Sequence, residues 1–139
     1  CAVLLFAALS SLSPAPAAAA SAQQAEPHRL AIVWTSADPH VAHRMTLMYA
    51  GAAQTRGWFD EVRLIVWGPS QRLVVADQEI RAAIERLIEA GVKVEACLAC
   101  ADSYGIADDL RGVDGLEVRY MGEPLSDFLK SEAWEVITF

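Results

Sequence analysis

Two cysteines three residues apart, Cys97 and Cys100, stand where an apolar run ends in "VEACLACADSYG". A pair at this spacing has four uses: dithiol/disulfide exchange, one sulfur nucleophile with a neighbour, a structural disulfide, or two small packed residues. An exposed Cys97 sulfur would favour the chemical uses, and burial the packing one. The stretch "DPHVAHR" gathers Asp38, His40 and His43. On a helix the two histidines lie one turn apart, so they could share a metal or stand as solvated first-turn residues. His40 could also give or take a proton. Trp34 and Trp67 end two apolar runs and offer either a wall for a ligand or core at strand ends. Ser36 beside the first and Tyr104 after the cysteine pair complete the candidate binding set. No second ligand pair follows CxxC at zinc spacing, so no metal site is expected. No Ser-His-Asp arrangement, phosphate loop or dinucleotide fingerprint is present, and no cofactor is expected.

The elements that must position these residues alternate along the chain. Leu30–Trp34 and Val62–Trp67 are nearly all apolar, as strands covered on both faces are. Val92–Cys97, Leu116–Met121 and Glu135–Phe139 are expected as three more strands. Asp38-Pro39 pairs an N-cap acceptor with proline at the first helical position, and Gly57 suits that helix's stop. Val41, Met45, Met48 and Ala52 recur at helical spacing between them. Asp77 caps a second helix whose stripe is Ile80, Ile84, Leu87 and Ile88, ending at Gly91. A third helix is expected from about Cys100 to Arg111 and a short one over Pro124–Lys130. Five strands alternating with helices give an α/β fold, a three-layer α/β/α sandwich around a five-stranded parallel sheet. Ligands of such sheets bind beyond the carboxyl ends of the strands. Trp34, Trp67 and Cys97 all fall on that edge. Cys97 also opens a helix, where unpaired N–H groups favour a thiolate. Cys100 is one turn further on.

Residues 1–25 carry no charge. "AVLLFAAL" followed by "SPAPAAAASAQQ" has the order of an export signal, with cleavage expected near Ala20–Ala25 and a periplasmic product. The basic segment that opens such signals is missing, so the true start is expected upstream of Cys1. Residues 26–139 are expected to form a single domain of about 115 residues. The formal net charge of −7 falls entirely on this part. An acidic domain without a Lys/Arg stripe repels phosphate backbones, which argues against nucleic acid as a partner. No membrane span is expected. Two cysteines are too few for a disulfide framework, although an exported pair can oxidise.

At "GVKVEACLACADSYGIADDL" the chain resembles the DsrE/DsrF-like family of sulfur-relay proteins: a strand, then Cys97, seven residues, and Gly105-Ile106. "LEVRYMGEPLSDFLKSEAWEVITF" resembles the closing strand, helix and strand of that family, and the likeness spans Leu30–Phe139. The resemblance implies the same sandwich fold and a homo-oligomer, trimer or hexamer. It implies that Cys97 carries a persulfide and passes sulfane sulfur between donor and acceptor proteins. It assigns Cys100 no role of its own, though Cys100 could resolve a persulfide as a disulfide. A periplasmic CxxC redox protein and a non-catalytic oligomeric binding domain remain the alternatives.

Overall fold

The computed structural model describes residues 26–139; the stretch read as an export signal, residues 1–25, lies outside them. Five strands, β1 (Arg29–Trp34), β2 (Glu61–Val66), β3 (Lys93–Cys97), β4 (Glu117–Arg119) and β5 (Trp134–Thr138), form one sheet in the order β4-β3-β2-β1-β5. Every neighbouring pair is parallel. The helices are α1 (Pro39–Val41), a π-helical segment (Ala42–Thr46), α2 (Leu47–Thr55), α3 (Ser70–Ala76), α4 (Gln78–Glu89), α5 (Leu98–Tyr104), α6 (Ala107–Arg111) and α7 (Gly122–Lys130).

Period-two alternation divides the apolar residues between the two faces of the sheet. Ile32, Trp34, Leu64 and Val94 point into the larger core with side chains of α2, α3, α4 and α6. Ala31, Val33, Ile65 and Cys97 point into a smaller core with Met121 and Phe128. Only the nine-residue α7 contributes buried residues to that second side among the described helices. Where α7 does not reach, the face carries charge. Glu95 is 2 % exposed and accepts from Arg119 Nε at 2.9 Å and Arg63 Nη1 at 3.3 Å. A carboxylate this deep is tolerable only when paired.

The expected caps are in place. Asp38 accepts from the His40 amide at 2.7 Å, and Asp77 from the Glu79 amide at 2.8 Å. Ile80, Ile84 and Leu87 of α4 are buried as their spacing required.

Three elements differ from the sequence reading. The stripe of the first helix is out of phase: Met45 and Met48 are 47 % and 61 % exposed, while Ala42, Thr46, Ala50 and Ala53 are buried. The π-helical segment adds a residue to one turn and rotates the contact face. Small residues then let the helix lie close to the sheet. The expected third helix is two helices. It starts earlier, at Leu98, and stops at Gly105, whose φ of 67° is left-handed. The Ile106 amide donates back to the Ala101 carbonyl at 3.0 Å, closing that end. Finally, α3 follows β2 almost directly, where no helix was expected.

The strand order reverses beside β1, which has β2 on one side and β5 on the other. Such a reversal often opens a ligand crevice. Here the β1–β5 ladder runs on through Phe139: its amide donates to the Val33 carbonyl at 2.9 Å, and its carbonyl accepts from the Thr35 amide at 2.8 Å.

Candidate functional site

Cys97 is the last residue of β3 and the N-cap of α5, with φ −69° and ψ 110°. Extended backbone there lets the strand turn into a helix without a loop. Cys100 lies in the first turn of α5, three residues on, where a side chain returns to the side of the N-cap. The two thiols are neighbours, both set against the smaller core, and the Gly68 amide lies near Cys100. Both are free thiols. Cys97 is 3 % exposed, packed in the smaller core, and Cys100 is half-buried beside it. The inner position of Cys97 agrees with the packing use and not with an exposed sulfur. The outer thiol is Cys100.

Burial pushes the Cys100 thiol above its ordinary range, and the neighbouring Cys97 adds to the rise. The Gly68 amide opposes them, since a donor favours the thiolate, but does not cancel them. Cys100 therefore holds its proton at neutral pH.

The segment between β2 and α3 runs beside this site. Gly68 takes φ 65°, a left-handed conformation, and its amide lies near Cys100. The Ser70 hydroxyl donates to the Trp34 carbonyl at 2.6 Å, and also reaches the Trp67 carbonyl at 3.1 Å. Gln71 is fully buried, and its Nε2 donates to the carbonyls of Val66 at 3.0 Å and Cys97 at 2.9 Å. Ser70 and Gln71 belong to no sequence motif. One signal was available: Gln71 stands one helical turn before Val74, a carboxamide on the stripe that becomes buried.

Of the other candidates, only Trp67 packs against the same core as the cysteines, and Tyr104 ends the helix that carries Cys100. Trp34 and Trp67 cannot form one ligand wall. Trp34 pairs with Val66, so Trp67 is one residue out of step and faces the opposite side. Trp34 is fully buried in the larger core, and Trp67 packs half-buried against the smaller one near Cys100. His40 is exposed and lines a cavity of about 470 Å³ with Pro39, His43, Arg44 and Glu79, which contains neither cysteine. No cluster of potential metal ligands occurs among the described residues. Ser36 accepts from the Asp38 amide at 3.1 Å and so belongs to the helix cap. Tyr104 is 39 % exposed, with the Arg72 guanidinium 5.8 Å from its ring centre.

The comparisons agree with this architecture. The model of the DsrE/DsrF-like family matches residues 28–139. A conserved protein of unknown function from Bacteroides thetaiotaomicron, BT1422, is 32 % identical with a TM-score of 0.75, over 80 % of this chain and 94 % of its own. The ychN protein of E. coli is 24 % identical with a TM-score of 0.67, over 81 % of this chain and 99 % of its own. MTH1491 from Methanobacterium thermoautotrophicum, also of unknown function, shares the fold at 21 % identity and a TM-score of 0.60, over 81 % and 99 % of the two chains. No curated protein matches. With the sheet order, the strand-end cysteine and the family match in agreement, the chain belongs to the DsrE/DsrF-like family.

Proposed function

We propose that the protein carries sulfane sulfur on Cys97 as a persulfide, with Cys100 as the outer thiol through which sulfur enters. The observation that carries this reading is the paired arrangement: one sulfur shielded, one accessible, both against the same core. Family membership is consistent with a sulfur-relay role.

The chemistry needs no cofactor. The Cys100 thiolate attacks the terminal sulfur of a donor persulfide R–S–SH. A Cys100 S–S bond forms, the donor S–S bond breaks, and R–S⁻ leaves. The Cys97 thiolate then attacks the outer sulfur of the Cys100 persulfide. Its own S–S bond forms, the Cys100 S–S bond breaks, and Cys100 recovers a proton. Sulfane sulfur moves twice with no net oxidation. A persulfide on Cys97 rests out of water, where competing thiols do not reach it. The slow member is Cys100, whose raised pKa keeps most of it protonated at neutral pH.

Intact mass tests this. Reduced protein treated with a small-molecule persulfide should gain about 32 Da, one sulfur on a reactive thiol. Cys100→Ser should load at least tenfold more slowly. Wild-type protein that gains nothing, under conditions that load a known carrier, overturns the proposal.

A second reading rests on the same neighbouring thiols: a dithiol/disulfide redox pair. It requires insulin reduction by the reduced protein and a reduction potential in the range of thiol oxidoreductases. We also propose a periplasmic location, from the apolar and small-residue order of residues 1–25, and a homo-oligomer. The exposed Met45 and Met48, on the first helical stretch, are the surface that supports assembly.

A further inference from the structure

One carboxamide joins the carboxyl ends of two strands at the site. The β2–β3 ladder has its last pair at Val66 and Ala96. One residue later β3 turns away as α5, so the chain itself supplies no further rung. Gln71 supplies it from α3. Its single Nε2 spends one proton on the Val66 carbonyl and the other on the Cys97 carbonyl, at 3.0 and 2.9 Å, in a fully buried position. A primary amide has two such protons, and both are used here.

The carbonyl that Gln71 holds controls a particular torsion. Rotation about ψ of Cys97 swings its C=O, and with it all of α5, relative to the Cys97 side chain. Cys100 rides on the first turn of α5. We propose that Gln71 is a positioning residue for the thiol pair: by fixing the Cys97 carbonyl it fixes ψ at Cys97, and so holds the Cys100 sulfur beside the Cys97 sulfur. The use of that pairing rests on the sulfur-carrier reading above; the pairing itself does not. Ser70, the adjacent residue, offers a comparison. Its buried hydroxyl binds the carbonyls of Trp34 and Trp67, not that of Cys97, so it fastens β1 to the end of β2 and leaves ψ of Cys97 alone.

Two thiols held side by side have a high effective concentration towards each other, which favours their disulfide. The test is therefore the equilibrium of the full chain with glutathione: two protein thiols and one oxidised glutathione exchange for one protein disulfide and two reduced glutathiones. Gln71→Met keeps the length and removes both donors. It should lower the equilibrium constant for disulfide formation at least tenfold, which raises the potential by about 30 mV. Gln71→Asn keeps a carboxamide one methylene short, and should fall between Met and wild type. It carries the test if Gln71→Met does not fold. Ser70→Ala should lower stability and leave the glutathione equilibrium within about twofold of wild type.

The proposal is overturned if the Gln71 variants lose stability as Ser70→Ala does and keep the wild-type equilibrium. Failure of the sulfur-carrier reading looks different. Wild-type protein would then take up no sulfur, while the Gln71 variants still shift the glutathione equilibrium.

Discussion

Cys100 gives up its proton less readily than a free thiol, because its thiolate would be partly buried beside a second sulfur. The folded state therefore binds this proton more tightly than the unfolded chain. That contribution to stability is fully present below the ordinary thiol pKa of about 8.5 and is lost as pH rises through the raised value. Urea midpoints of wild-type protein should fall above about pH 8.5, and Cys100→Ser should flatten that fall. Equal slopes in the two proteins would contradict the assignment. A second contrast separates buried from exposed charge. Glu95→Ala leaves Arg63 and Arg119 without their shared carboxylate and should cost about 3 kcal/mol by urea unfolding. Arg111→Ala loses only the exposed pair with Asp108 and should change stability by less than about 0.5 kcal/mol. At this scale the sequence made Cys97 legible, because a cysteine ending an apolar run in an α/β chain falls on the carboxyl edge of the sheet. It did not reveal which thiol faces outward. That depends on the parity of Cys97 within β3 and on how far α7 covers its face, and both are properties of the assembled sheet.

Helix starts were the most legible elements, since Asp38 and Asp77 act through backbone amides two or three residues away. Contact faces were less legible. The π-helical segment shifts the first helix by one residue, a local slip that apolar spacing does not encode when the buried side is mostly alanine. The short α3 was hidden for a related reason: its buried side is Ser70, Gln71 and Val74, polar residues that satisfy strand carbonyls. Gly105 shows how one position divides an element. Nothing lies within 4 Å of a Cβ built there, so substitution meets strain from the left-handed φ alone. Gly105→Ala should cost about 1–2 kcal/mol in thermal or urea unfolding. A neutral result would mean that the α5–α6 break does not depend on the left-handed turn.

The whole molecule is acidic, and no described helix is long and apolar enough to cross a membrane. Its sheet is unevenly covered, with one face under several helices and the other under α7 and a charged network. Exposed Met48 lines a groove of about 410 Å³ between α2 and α4. Static light scattering should report a trimer or hexamer, and Met48→Glu should shift it towards the monomer. A wild-type monomer at micromolar concentration would contradict the assembly. The fold was legible as a whole because five apolar runs separated by capped helices leave few topologies. The strand order was not, because nothing local to β5 states that it pairs with β1.

Where sulfur comes to rest is open to direct measurement. Lys93 and Arg111 flank a tryptic peptide, residues 94–111, that contains both Cys97 and Cys100. After loading with a small-molecule persulfide and trapping with an alkylating agent, fragmentation between the two cysteines locates the extra sulfur. The extra sulfur is expected on Cys97. Sulfur found only on Cys100, or on neither, would contradict it.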